Sequence, residues 1–206
     1  MDFIYRLTAN CGWAEIEFSY GDFTRKYPVE YCLGDTLTEL LSGMVALSGF
    51  RKGWKPFCDI ANHYQASDDD FAWSPHVAGT YTKFIFNTTE NSNNINLKII
   101  EQFWNNKEHI DENCVFDKDI NLDALIDSLL SSCDYILKNY GIIGYYENFW
   151  EEFPVSYYLL LKDYMERKIN YDMSIEEDIE GKIVSMCKTD IYIELDYLSP
   201  GKIENN

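Results

Sequence analysis

The stretch from Trp13 to Tyr31 narrows the choice of fold more than any other part of this chain. Ala14, Ile16, Phe18 and Tyr20 alternate with Glu15, Glu17 and Ser19, the period of two that sends one set of side chains to a single strand face. Gly21-Asp22 is a two-residue turn signal, after which Phe23, Arg25, Tyr27 and Val29 resume the alternation on the same face. Strand, tight turn and strand predict an antiparallel hairpin. In that register Glu17 lies opposite Lys26 on the outer face, a favourable cross-strand pair. Pro28 cannot donate to a ladder, so it belongs at an edge or at a non-bonded position.

A helix follows. Thr36-Leu37-Thr38-Glu39 fits a capping box, and Asp35 adds negative charge where the helix dipole is positive. Leu37, Leu40, Leu41, Met44, Val45 and Ser48 keep helical spacing, and Gly49 can close the end. Residues 51–70 read as irregular, with Gly53, Pro56 and the run Asp68-Asp69-Asp70. Phe71–Trp73, Thr80–Asn87 and Ile95–Phe103 are rich in aromatic and β-branched residues, which predicts strands that extend the same sheet, with a turn at Asn91–Asn94.

After Trp104 the character changes. Asn121–Tyr140 is amphipathic, with Leu122, Leu125, Ile126, Leu129, Cys133, Ile136 and Leu137 on one side and Gly141 at its end. Pro154 suits the first turn of a helix to about Lys168. Ser174-Ile175-Glu176-Glu177 reads as a second capping box opening a helix to about Met186, and Ile191, Ile193 and Leu195 alternate as a final strand. Strands first and helices later predict an α+β fold: one antiparallel sheet from the N-terminal half with C-terminal helices packed on it. Residues 1–206 are enough for one substantial core and are read as a single domain.

Charge is uneven along the chain. Of 35 Asp+Glu and 17 Lys+Arg, residues 1–100 hold 12 acids and 8 bases (net −4), and residues 101–206 hold 23 acids and 9 bases (net −14). Such a field steers a basic partner. It opposes direct nucleic-acid binding, which needs Lys and Arg at phosphates. With 46% apolar and 16% aromatic residues the chain is not of disordered composition. No apolar run approaches the roughly 18 residues of a membrane span. Met1-Asp2-Phe3 does not open a signal peptide, so the expected location is cytoplasmic and the six cysteines are expected reduced.

Catalytic and metal signatures are missing. There is no G-x-G-x-x-G, phosphate loop or H-E-x-x-H, and His63, His76 and His109 stand far apart. Cys11, Cys32, Cys58, Cys114, Cys133 and Cys187 show no close ligand spacing. The expectation is a monomer without metal, cofactor or catalytic activity. Acids carry the positive signal instead. At about 100° per residue, Asp119, Asp123, Asp127 and Asp134 fall within roughly 80° of one another, a stripe that borders the apolar face of Asn121–Tyr140. No base shares that stripe, and like charges at i,i+4 cost about a few tenths of a kcal/mol each. A partner's Lys and Arg would offset them, so these four are candidate partner-binding residues. Glu194 and Asp196, on the polar face of the expected last strand, are two more. The acids at Glu176, Glu177, Asp178 and Glu180 fit a helix start on structural grounds alone. Tyr140, Tyr145, Tyr146, Phe149 and Trp150 cluster around Gly141 and Gly144. Most are expected to fill the junction between sheet and helices, with a minority exposed as interface anchors.

The order of these parts resembles a known class. Gly34-Asp35-Thr36 opens a helix after a short hairpin, a β-rich middle follows, and a helix ends at Asn139-Tyr140-Gly141. Gly144-Tyr145-Tyr146-Glu147-Asn148-Phe149-Trp150 then leads into Phe153-Pro154. The arrangement resembles small bacterial immunity proteins of contact-dependent inhibition and related polymorphic toxin systems. The resemblance implies a cytoplasmic antidote that binds one cognate toxin domain, often a nuclease with a basic surface, and performs no reaction. It supplies no residue-level binding motif. A cytoplasmic enzyme or a general interaction module is the other class left open.

Overall fold

The N-terminal alternation becomes the sheet that its spacing predicts. A computed structural model describes residues 1–8, 12–30, 36–49, 70–75, 81–89, 93–105, 109–169, 171–177 and 183–199. Strands β1 (Asp2–Leu7), β2 (Trp13–Tyr20) and β3 (Phe23–Glu30) form an antiparallel sheet in that order. Glu17 pairs with Lys26 in register, and the ammonium lies 3.3 Å from Glu17 and 2.8 Å from Glu15. Gly21 takes φ +58°, the left-handed conformation that the two-residue turn needs. Pro28 sits on β3, an edge strand. Helix α1 (Thr36–Leu47) follows, and Gly49 takes φ +60° just beyond it. Asp35, the expected charge before that helix, lies outside the described residues.

The next strands do not extend this sheet. β4 (Asp70–Trp73), β5 (Tyr81–Thr88), β6 (Asn94–Asn105) and β7 (His109–Asn121) form a second, four-stranded antiparallel sheet. Each sheet has one apolar face, and the two faces cover each other. Aromatic side chains make the joint: Phe3 meets Phe84 at 5.9 Å between centroids, Tyr27 meets Phe84 at 5.2 Å, and Phe18 meets Phe116 edge-on at 5.0 Å. A single continued sheet would have left these faces to the helices alone. Strand β7 has no counterpart in the sequence reading. It carries six charged or histidine side chains among 13 residues and few apolar ones, because an edge strand needs only its inward positions apolar.

Helix α2 (Leu122–Asn139) starts where Asn121 Oδ1 accepts from the Ala124 amide at 2.8 Å. It covers the open edge of β1. Ser128 Oγ accepts from the Phe3 amide at 2.7 Å and donates to the Phe3 carbonyl at 3.0 Å, and Ser132 Oγ accepts from the Tyr5 amide at 3.1 Å. Two serines one helical turn apart thus satisfy backbone groups that would otherwise offer a pairing edge. Close approach also fixes α1: a Cβ on Gly43 would lie 2.2 Å from the Phe71 ring.

After α2 come α3 (Gly141–Phe149) and α4 (Val155–Glu166), the latter preceded by Pro154 as expected. The expected Ser174–Met186 helix is instead a two-stranded ribbon, β8 (Asp172–Glu177) with β9 (Ile183–Lys188). Its apolar residues fit both periods: Ile175, Ile183 and Met186 suit a helix, while Met173 and Ile175 alternate. The expected final strand is α5 (Ile191–Tyr197), started by Asp190 Oδ1 accepting from the Tyr192 amide at 2.8 Å. There a local cap decides against a three-residue alternation. One contiguous buried cluster draws on both sheets and on α1 to α4. The fold is α+β, and no helix among the described residues is long and apolar enough to cross a membrane.

Candidate functional site

The expected acid stripe does not exist as one surface. Asp119 lies on β7, before the helix begins, where Asn96 Nδ2 donates to it at 3.2 Å. Asp123, half-buried on α2, accepts from the Tyr164 hydroxyl of α4 at 2.6 Å. Asp134 accepts from the Tyr158 hydroxyl at 2.6 Å and from Lys162 Nζ at 2.7 Å, again from α4. The side chains of Lys162 and Asp134 are only 15% and 29% exposed. Asp123 and Asp134 clip α2 to α4, and Lys162 gives Asp134 a counter-charge from within the chain. Burial raises the Tyr158 and Tyr164 hydroxyl pKa values above the ordinary tyrosine value, and the neighbouring carboxylates raise them further; Tyr164 reaches about 12. Asp127 alone of the four is exposed on α2 without a hydrogen bond or ion pair among the described residues.

Asp127 borders an open trough of about 720 Å³ between α2 and the outer face of β1, together with Asp2, Ile4, Arg6, Ser131 and Tyr135. Its charges are mixed, and Arg6 already faces Glu17 at 3.8 Å. The trough therefore has no strong preference for a partner's sign.

Helix α3 differs. Tyr145 and Phe149 are fully buried, Phe149 meeting Tyr5 at 6.3 Å and Tyr145 meeting Phe153 at 5.6 Å. The opposite side is apolar too. Ile142, Ile143, Tyr146 and Trp150 are 42%, 77%, 51% and 54% exposed. At about 100° per residue, Ile142, Tyr146, Trp150, Ile143 and then Glu147 succeed one another across roughly 140° of helix surface. A helix with two apolar sides either is buried or awaits a partner. Of the five clustered aromatics, then, three face solvent (Tyr140, Tyr146 and Trp150) and two are core, which reverses the expected majority. Ile142 and Ile143 were not singled out in the sequence. Their signal was the doublet in a short helix whose inward positions, Tyr145 and Phe149, were already filled at i,i+4.

Charge on α3 and the turn after it has one sign, with Lys138, exposed in the last turn of α2, the nearest base before it. From Asn139 to Leu161 there is no Lys or Arg, and Glu147, Glu151 and Glu152 are the ionised side chains. The next base beyond, Lys162, is committed to Asp134. A notch of about 290 Å³ opens between α3 and the following turn, lined by Ile142, Ile143, Tyr146, Glu152, Phe153 and Val155. Trp150 ends the helix at φ +61°, its amide donating to the Tyr146 carbonyl at 2.7 Å. That left-handed position usually belongs to Gly, and a bulky residue there costs about 1 kcal/mol or more.

Glu194 and Asp196 are on α5, not on a strand, and Thr189 Oγ1 donates to Glu194. Ile191, Tyr192 and Leu195 of the same short helix are also exposed. Asp163 is buried, accepting from the Ile169 amide at 2.7 Å and the Tyr171 hydroxyl at 2.9 Å, which fixes the turn after α4. Cys133 is buried and burial raises its thiol pKa, while Cys114 is exposed and free. Among the described residues no three His, Cys, Asp or Glu side chains converge as metal ligands. His63, His76, Cys11, Cys32, Cys58, Asp68, Asp69, Asp178 and Glu180 lie outside the described residues.

Comparison with protein-family models, curated proteins and solved structures gives no match.

Proposed function

We propose that this chain is an acidic, cytoplasmic immunity protein that binds and neutralises one cognate toxin domain with a basic surface. The observation that carries the reading is the outer side of α3: Ile142, Ile143, Tyr146 and Trp150 exposed together beside Glu147 and Glu152. Exposed aromatic and aliphatic anchors inside a charged rim are the composition of a protein interface. The net charge of −18 supports a partner of opposite sign, and a nuclease supplies one because its own substrate is a polyanion. The order of elements, hairpin and helix followed by the Gly-Tyr, Trp and Phe-Pro stretch, supports the immunity class.

Co-expression tests this directly. Any toxin domain found encoded beside this chain should stop growth when expressed alone and should not when expressed together with it. Association should slow as salt rises from about 50 to 500 mM, since screening shortens the reach of the field to a few ångströms. Growth arrest that co-expression leaves unrelieved contradicts the reading.

A further inference from the structure

We infer that the partner reads this chain through one large apolar side chain seated in the notch between α3 and the Glu152–Val155 turn, flanked by Lys or Arg that meet Glu147 and Glu152. The inference rests on the binding reading above and deepens it from a surface to a contact. The notch, about 290 Å³, lies at the lower limit of small-molecule sites, which run from about 300 to 1,000 Å³. It has room for one aromatic or branched aliphatic side chain. Its walls are Ile142, Ile143, Tyr146, Phe153 and Val155, with Glu152 as the one charged member. Glu147 follows Ile143 at i+4, so its carboxylate lies beside the apolar surface, while Glu152 lies in the notch wall. With no base between Asn139 and Leu161, that rim repels an acidic neighbour. A second copy of this chain would bring the same acids face to face, which favours a basic occupant over self-association.

Trp150 is a separate observation pointing the same way. The chain holds a bulky residue in a left-handed conformation at the end of α3 with its indole about half exposed. Arg167 ends α4 in the same way at φ +56°, so the backbone here is a common helix ending and the exposed indole is the observation. Here the conformation ends α3 beside the notch and leaves a large aromatic at the surface, where interface hot spots commonly place Trp.

The probes are three nine-residue peptides with blocked ends, titrated into the full chain and followed by side-chain methyl and amide NMR. One alternates Gly with Lys around a central Phe, one replaces the Phe by Ala, and one replaces the Lys by Glu. The Lys-Phe peptide should shift Ile142, Ile143, Tyr146 and Val155 saturably. The Ala and Glu peptides should each bind at least tenfold more weakly, and Ile143→Asp should abolish the shifts at unchanged melting temperature. Equal binding of the Ala peptide, or shifts spread over the acidic surface without focus at these residues, would overturn the notch. So would a dimer dissociated by Ile143→Asp, because the occupant would then be a second copy. The two readings fail separately. Protection from the toxin that survives Ile143→Asp with unchanged affinity removes the notch and keeps the immunity role. Focused peptide binding without protection removes the immunity role and keeps the notch.

Discussion

Helices α2 and α3 follow one another with only Tyr140 between them, yet they spend their side chains differently. On α2 two of the three stripe acids turn inward, Asp127 being exposed. Asp123 is held by Tyr164, and Asp134 by Tyr158 and Lys162, all from α4. On α3 the inward side is complete with Tyr145 and Phe149, and a second apolar side faces solvent. A charge stripe beside an amphipathic face is therefore not a surface by default, because another helix can supply its partners. Surplus apolar side chains on a helix already buried along one side are the better sign of an interface.

The largest effect that would sharpen this contrast lies within α3 itself. Phe149→Ala should cost about 3–5 kcal/mol, since it empties a fully buried ring site. Ile143→Ala, six residues earlier on the exposed side of the same helix, should stay within about 0.5 kcal/mol. Chemical denaturation separates the two, and equal losses would mean that the outer side of α3 is structural.

Asp134→Ala comes next, at about 1–3 kcal/mol. It strands the Lys162 ammonium and removes one acceptor of Tyr158, whose hydroxyl keeps the Tyr197 carbonyl at 2.9 Å. A melting temperature unchanged from the parent would return Asp134 to the list of free acids.

Alkaline pH should loosen the same clip. Tyr164 has a folded pKa of about 12 against an ordinary value of 10.0. The folded chain thus binds this proton more tightly than the unfolded chain. The stability it contributes is complete below pH 10 and is lost as pH rises through 12. Tyr158 is raised in the same direction and adds to the fall. Thermal melts between about pH 9 and 12 should show the decline, and Tyr164→Phe should make it shallower. A decline of the same steepness in that variant would place its origin elsewhere.

Smallest is Asp127→Asn, which should change stability by less than about 0.5 kcal/mol because the side chain is exposed and pairs with nothing described.

What the sequence revealed followed the strength of its periodicity. The β2–β3 hairpin, α1 and α2 were legible because long alternation or helical spacing agreed with a turn or cap at each end. The division into two sheets was not, since an apolar strand face does not say which face will cover it. Strand β7 was hidden by the acids that an edge strand tolerates. The ribbon β8–β9 and helix α5 are short, and their apolar residues fit periods of two and of nearly four equally well. For the site, the acids were visible in sequence but their internal partners were not: Lys162 follows Asp134 by 28 residues. The aromatic cluster was visible as well. Its outward majority became clear only when Tyr145 and Phe149 were found to fill the inner side by themselves.

On the function proposed above, α3 and not the acids of α2 meets the partner. The most direct measurement is the dissociation constant of the toxin domain for the parent chain, Ile143→Asp and Asp127→Asn at one salt concentration. Ile143→Asp should weaken binding at least tenfold, about 1.4 kcal/mol, while Asp127→Asn should change it less than about twofold. Loss on Asp127→Asn with no loss on Ile143→Asp would contradict this reading and move the interface to the exposed side of α2.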